Sequence, residues 1–214
     1  MKQPDAQRVI ASYRDLAGDY DATCHRTMPI RKEAIALLEL RPGDVAVDVA
    51  CGTGMSFPLL IEEIGSAGHL IAIDLSPDMM ALARARVQAA GWRNVTPIEA
   101  SIEAADIPLA FDAVLLHFTH DVIQSPAALA KLFARAKPGA CVVAAGAKLT
   151  SWWLAPFNLW LMMRARPYLT TYAGLRHPWR NLLLYVPGLR VNLRLLDTVY
   201  VARGRFGLPE SGTK

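Results

Sequence analysis

Residues 45–54 read VAVDVACGTG, an apolar run that closes on Asp48 and spills into a turn of small residues. A strand feeding such a turn builds a cradle in which backbone N–H groups and a helix N-terminus approach a nucleotide-like cofactor. The position of the acid separates two kinds of cradle. In a dinucleotide fold the strand runs straight into G-x-G-x-x-G, whose glycines admit a pyrophosphate. Here Asp48 ends the strand, and Gly52-x-Gly54 is followed by Met55, Ser56 and Phe57 with no third glycine. The bulk of Phe57 impedes close approach of helix and pyrophosphate, so the stretch favours a cofactor without one.

Working outward, a doubly wound fold predicts a second strand ending in an acid about 20 residues further on. Residues 69–74, HLIAID, meet that expectation, with Asp74 placed to accept two hydrogen bonds from ribose hydroxyls and Leu75 to flank an adenine. Ser76-Pro77-Asp78 then starts a helix, since Ser is a favourable N-cap and Pro suits the first helical position. That helix runs through Met79, Leu82, Ala83 and Val87 to a stop at Gly91. Further strands are predicted over Val95–Ile98, Ala113–Leu116 and Ala140–Ala147. Between them lie a polar turn at Ser101, Ile102 and Glu103 and a helix capped at Ser125-Pro126 and ending at Lys137-Pro138-Gly139. Strands alternating with helices in this way predict an α/β fold, a doubly wound parallel sheet covered on both faces.

The order D-x-A-C-G-x-G, I-D-L-S-P, F-D-A-V-L and K-P-G-A resembles that of the class I S-adenosylmethionine (SAM) methyltransferases. Within them it is similar to the group related to ubiquinone and menaquinone C-methylation and bacterial phospholipid N-methylation, over roughly residues 8–147. Ala50 replaces the usual first glycine, a mild departure because its side chain is small. The resemblance implies a Rossmann-like, seven-stranded, mostly parallel sheet completed by a C-terminal hairpin, for which Leu189–Leu196 and Thr198–Arg205 supply the strands. It also implies a set of cofactor contacts. Asp48 and the backbone of Ala50, Cys51, Gly52, Thr53 and Gly54 would hold the methionine portion of SAM. Asp74 and Leu75 would meet the ribose and adenine, with Met79 nearby, Ser101 and Ile102 the adenine edge and face, and His117 would line the methyl-donor side. The group's usual acid at the Ser101 position is absent. Tyr13 and Tyr20-Asp21 resemble the Y-x(n)-Y-D segment that lids the cofactor in that group, and Tyr20 joins the cofactor set on that basis.

The implied reaction is in-line transfer of a sulfonium methyl to an acceptor nucleophile, in which a protein contributes mainly alignment and exclusion of water. A phenol, enol or carbon acid also needs a base, and His25, His117, His120 and Asp121 are the candidates. His120-Asp121 falls just beyond the fourth strand, at the carboxyl edge where open α/β sheets bind ligands. A His titrates near neutral pH, which suits that work. Plainer readings stand beside these: Ser101 as an ordinary capping turn, His117 as a strand-end residue, and Tyr13 and Tyr20 as packing for the first helix.

A chain of 214 residues, 53% hydrophobic, suits a single domain with one large core. Residues 1–40 are expected as an N-terminal helical cap and 149–188 as a helical lid over the acceptor site. Cys24, Cys51 and Cys141 include no C-x-x-C pair, which suits a reducing cytoplasm rather than a disulfide framework and gives no metal site. The start, MKQPDAQRVI, has no apolar core behind its Lys and does not read as a secretory signal. A cytoplasmic protein is expected.

The net charge of +4 hides two unequal parts: residues 1–147 carry 13 Lys/Arg against 17 Asp/Glu, and residues 148–214 carry 10 against 2. The basic part also holds four of the five tryptophans. Between Lys148 and Arg164 lie 15 uncharged residues interrupted by Pro156, fewer than the roughly 20 that a spanning helix needs. Trp and Phe with Arg nearby suit a segment lying at a membrane surface, or one closing over a hydrophobic acceptor pocket, and the two are compatible for a lipophilic acceptor. Tyr13, Trp153, Tyr168, Tyr172 and Arg176 are the candidate acceptor-binding residues. Arg176 and Arg180 either grip an anionic or planar acceptor or form a solvated face. The basic residues are scattered and no nucleic-acid-binding motif accompanies them. A homodimer stays open, because apolar surface for a dimer is not separable here from a pocket lid. Beside a methyltransferase acting on a quinone, phenol or lipid headgroup stand three other classes: a non-catalytic SAM-binding regulator, a dinucleotide oxidoreductase, which Asp48 and the absent third glycine argue against, and a peripheral lipid-binding protein.

Overall fold

The structure, a computed structural model, describes residues 20–150, 158–159, 162–163 and 169–208. Seven strands form one sheet: β1 (Val45–Val49), β2 (His69–Asp74), β3 (Val95–Glu99), β4 (Phe111–His117), β5 (Ala136–Ala147), β6 (Arg190–Arg194) and β7 (Val199–Arg205). Their order is β3-β2-β1-β4-β5-β7-β6. β7 runs antiparallel to both β5 and β6, and the other pairs are parallel. The helices are α1 (Tyr20–Cys24), α2 (Met28–Ala36), α3 (Phe57–Ile64), α4 (Pro77–Ala90), α5 (His120–Ile123) and α6 (Pro126–Phe133), with 3₁₀ turns at His25–Thr27 and Pro178–Leu184. This is the doubly wound, Rossmann-like sheet that the alternation predicts.

Successive strand residues face opposite sides of a sheet, so VAVDV divides into Ala46 and Asp48 on one face and Val47 and Val49 on the other. Ala46, Leu70, Ala72, Leu115 and Val143 pack with Ile35, Leu60 and Met80 from α2, α3 and α4. Val47, Val49, Ile71, Val114 and Val142 pack with Leu129 of α6 and with Leu182. Strands apolar on both sides are what a sheet covered on both faces demands. The predicted caps are in place: the Ser76 hydroxyl accepts from the Met79 amide, Gly91 closes α4 with φ 69, and the Ser125 hydroxyl accepts from the Ala128 amide.

Three stretches differ from expectation. Lys137-Pro138-Gly139 does not end a helix; α6 stops at Phe133, and these residues form a bulge inside β5, where the register jumps from Phe111↔Ala136 to Ala113↔Cys141. Pro138 has no amide to give to the ladder and Gly139 takes φ 77, so the ladder breaks there. β6 ends at Arg194 because Leu195, Leu196 and Asp197 turn with φ of 50, 53 and 63. The later part of the expected lid packs on the sheet: Leu182 and Val186 are buried in the core and Tyr185 stacks on Phe133 with ring centroids 4.6 Å apart.

Candidate functional site

Register gathers three polar side chains. Val49 pairs with Ile73 and with Leu116, so Asp74 and His117 stand one position beyond it on either side, and Asp48 one position before. Asp48 shares its face with Ala72 and Leu115, the face of Asp74 and His117 as well, so all three lie under α2 and α3 at the carboxyl edge. β1 and β4 are neighbours where the chain order reverses, the switch point at which open sheets bind ligands.

Asp48 is 1% exposed. Burial pushes its pKa from 3.8 up to about 7, against the lowering effects of the Arg31 charge and a Ser56 hydrogen bond and with a further rise from Asp74. Arg31, itself buried, donates to the Ser56 hydroxyl. It comes from the face of α2 that carries Ala34, Ile35 and Leu38, at i, i+3, i+4 and i+7 spacing. Burial, followed by the Arg31 charge, holds His117 well below its ordinary pKa, so its ring is neutral. Asp48 Oδ2, Arg31 Nε and both ring nitrogens of His117 are buried without a hydrogen-bond partner. Unmet buried polar atoms are costly, and their concentration here marks a place completed by a ligand carrying both donors and acceptors.

Asp74 clamps the glycine loop to the sheet. Its Oδ2 accepts from the Gly52 amide at 2.7 Å and its Oδ1 from the Ser76 amide at 2.8 Å. Burial raises its pKa while the Ser76, Gly52 and Leu75 amides pull it down. Each oxygen keeps a lone pair for one more donor. Gly54 takes φ 80, and a Cβ there would lie 2.5 Å from Phe57 Cε2. Phe57 therefore sits beneath the loop, fully buried and edge-on to Trp92, rather than in the path of a cofactor. Cys51 is buried, and burial raises its thiol pKa far above the ordinary value. Thr53 donates to Asp21 Oδ1, its carbonyl accepts from Arg86 Nε at 2.9 Å, and Arg86 pairs with Asp21 Oδ2 at 2.6 Å. The tyrosine-aspartate segment is thus latched to the loop through its aspartate.

Ala50 adopts φ 51, so its replacement of glycine is less mild than its size implies. An L-residue in the left-handed region is strained by roughly 1–2 kcal/mol, partly offset by the entropy that glycine loses on folding. Ala50→Gly is expected to stabilise the protein by roughly 0.5–1 kcal/mol, seen as a higher urea midpoint; a lower midpoint contradicts the strain.

Other expected cofactor contacts fare differently. Leu75 is half-buried beside Asp74. Met79, in the first turn of α4, is 1% exposed. The Ser101 hydroxyl caps a turn by accepting from the Ala104 amide at 3.3 Å, and Ile102 is buried in the core.

On the acceptor side, Phe118 follows β4 with a left-handed φ of 58 and Thr119 lies buried behind it. The ring of His120 is buried, with Nε2 2.9 Å from the Ala173 carbonyl and Nδ1 without a partner. Burial lowers its pKa against the Ala173 bond and the Asp121 charge. Asp121 is engaged elsewhere: Oδ2 accepts from the Thr170 amide and hydroxyl, and Oδ1 from the Thr171 amide. Together with the bond from Gln124 to the Pro178 carbonyl, α5 fixes the 169–178 loop. Asp121 thus ties the Thr170–Thr171 backbone to α5. His25 is exposed on its 3₁₀ turn, where a base would be open to water. Tyr172 is half-buried and donates to the Met162 carbonyl, whereas Arg176 and Arg180 are exposed, the solvated alternative. Tyr13, Trp153 and Tyr168 lie outside the described residues, as does the side chain of Tyr20. Arg31, Arg86, Thr170, Thr171 and the Ala173 carbonyl are contributors that sequence reasoning missed. Only Arg31 left a signal, a charge on the apolar face of its helix.

Residues 46–139, which contain Asp48, the glycine loop, Asp74, His117, His120 and Asp121, match the family model described as "Methyltransferase domain". Over that stretch the chain is similar to the class I methyltransferases. The chain is also similar to the demethylmenaquinone methyltransferase of Symbiobacterium thermophilum, 31% identical over 112 residues that cover 50% of this chain and 44% of that one. The enzyme of the same name from Listeria welshimeri is 30% identical over 129 residues, 57% of this chain and 54% of that one. The chain spans about half the length of these curated relatives. In fold, it resembles the crystal structure of the N-methyltransferase NodS from Bradyrhizobium japonicum in complex with S-adenosylhomocysteine, with a TM-score of 0.61 at 16% identity over 84% of this chain and 87% of that one. Among the described residues no helix is long and apolar enough to cross a membrane, and no group of three or more His, Cys, Asp or Glu could hold a metal ion.

Proposed function

We propose that the protein is a SAM-dependent methyltransferase acting on a small lipophilic acceptor of the quinol or phenol class, in the cytoplasm and next to a membrane surface. The observation that carries this reading is the placement of Asp48 and Asp74 on one face of adjacent strands, with the glycine loop clamped between them. A nucleoside amino acid presents a ribose diol, an ammonium and a carboxylate. The free lone pairs of Asp74 suit the diol, Asp48 Oδ2 suits the ammonium, and Arg31 Nε suits the carboxylate. When bound, SAM supplies an electrophilic methyl group.

The demethylmenaquinone methyltransferase relatives favour a quinol, whose activation calls for a base. His120 fits that task. A carbonyl only accepts, so Nε2 carries the proton it donates to Ala173, and Nδ1 holds the lone pair. Burial keeps the ring neutral, ready to take a proton at Nδ1. Asp121 acts as a positioning residue by holding the Thr170–Thr171 backbone beside it.

Mass spectrometry of a demethylated naphthoquinol incubated with SAM and the protein tests the reading: a methylated product is expected. S-adenosylhomocysteine binding without transfer to any quinol or phenol would instead favour a SAM-binding regulator. His120→Ala is expected to lower turnover by roughly 10²–10⁴-fold while leaving S-adenosylhomocysteine affinity within about twofold, as its ring is not among the groups assigned to the cofactor. Unchanged turnover removes His120 from the chemistry.

A further inference from the structure

We propose that the tip of the β6–β7 hairpin, Leu195-Leu196, is a membrane-docking element that seats the carboxyl edge of the sheet on an anionic lipid surface. The two leucines are 68% and 91% exposed. They also hold left-handed backbone conformations, as does Asp197 after them, a region where glycine or asparagine is at ease and leucine is not. Water disfavours these side chains and the backbone disfavours this residue type, and packing within the fold compensates neither.

The tip is positioned for a shared surface with the site. Ala147 of β5 pairs with Val199 of β7, so the turn stands at the carboxyl end of the parallel strands, the edge that carries Asp48, His117 and His120. Its shape is fixed from below: the Lys148 amide donates to the Thr198 carbonyl at 2.8 Å, Lys148 Nζ to the Asp197 carbonyl at 2.9 Å, and the Thr198 hydroxyl to the Leu195 carbonyl at 2.6 Å. Lys148 also sets a cation beside Asp197, the acid of the turn. Leu159 and Met163, four residues apart and 59% and 60% exposed, belong to the same edge. Asn158 bonds to Thr150 just past β5, and the Met162 carbonyl accepts from Tyr172. Two cations stand at this edge: Arg194 immediately before the tip, paired with Glu33 at 2.7 Å, and exposed Arg176, next to Leu175, whose carbonyl accepts from the Leu149 amide just past β5; such cations complement anionic headgroups around inserted apolar side chains. The proposal rests on the membrane-surface part of the proposed function and not on the transfer reaction, so vesicle binding stands or falls independently of methyl transfer.

Flotation of the full chain with vesicles of phosphatidylcholine alone, and of equal parts phosphatidylcholine and phosphatidylglycerol, tests it. The double variant Leu195→Asn, Leu196→Gly removes the apolar tip with residues that accept left-handed backbone, so the fold is kept. The wild type is expected to float with the phosphatidylglycerol vesicles, and the variant to bind them at least tenfold more weakly with an undiminished melting temperature. Failure of the wild type to float, or equal binding by the variant, overturns the proposal. So does a variant that turns a dimer into a monomer while vesicle binding is unchanged, which assigns the tip to a second copy of the chain. Parallel titrations with S-adenosylhomocysteine report separately on the cofactor site.

Discussion

Asp74→Ala is expected to abolish measurable S-adenosylhomocysteine binding and to lower the melting temperature of the cofactor-free protein. The carboxylate holds the Gly52 and Ser76 amides at 2.7 and 2.8 Å, and hydrogen bonds to a charged group each contribute about 1.5–3 kcal/mol. Truncation leaves two amides in a buried loop without acceptors, a loss of roughly 3–5 kcal/mol by the same scale. For a domain of this size each kcal/mol moves the midpoint by about 2–4 °C, so scanning calorimetry should record a fall on the order of 10 °C. The glycine loop also loses its clamp and the ribose its acceptor, hence a loss of affinity of at least about a hundredfold. A variant that melts and binds as the wild type does would remove Asp74 from both roles.

Asp48→Asn is expected to act in opposite directions on stability and binding. In the folded protein Asp48 titrates near 7, against 3.8 when solvated. The folded state therefore holds this proton more tightly than the unfolded state. The group's favourable contribution is fully present below the solvated pKa, declines as the pH rises and is gone above about 7. At about 1.4 kcal/mol per pKa unit the penalty at alkaline pH is on the order of 4 kcal/mol. Asparagine keeps the shape without the charge, so the cofactor-free variant should melt above the wild type at pH 8 and level with it at pH 4. S-adenosylhomocysteine should bind the variant more weakly, because an amide replaces the carboxylate that faces the ammonium. Wild-type affinity should rise with pH through about 7, a dependence absent in the variant. Melting curves that differ equally at both pH values would contradict the buried, proton-holding carboxyl.

The sheet and its two acids were legible because strands buried on both sides are apolar throughout, so an Asp at a strand end stands out. The period-2 rule and the capped helix after Asp74 added the register and the next element. What the chain did not disclose depends on contacts distant in sequence. Arg31 meets Asp48 only when α2 docks on the sheet, and Asp121 reaches Thr170, 49 residues on. Its carboxylate reads as a candidate base, and nothing near it in the chain points to the amides it holds. Backbone conformation was equally hidden: Ala50 is small, but its φ of 51 makes it strained. Phe57 was read as an obstacle to a pyrophosphate, whereas its ring lies beneath Gly54. The absent third glycine and the acid at the strand end still separate this loop from a dinucleotide cradle.

The central claim is that this cradle takes a nucleoside amino acid rather than a dinucleotide, and calorimetric titration of the wild-type protein with S-adenosylhomocysteine and with NAD tests it most directly. Roughly micromolar binding of S-adenosylhomocysteine with no heat from NAD is the predicted result. Binding of NAD with none of S-adenosylhomocysteine would contradict the account.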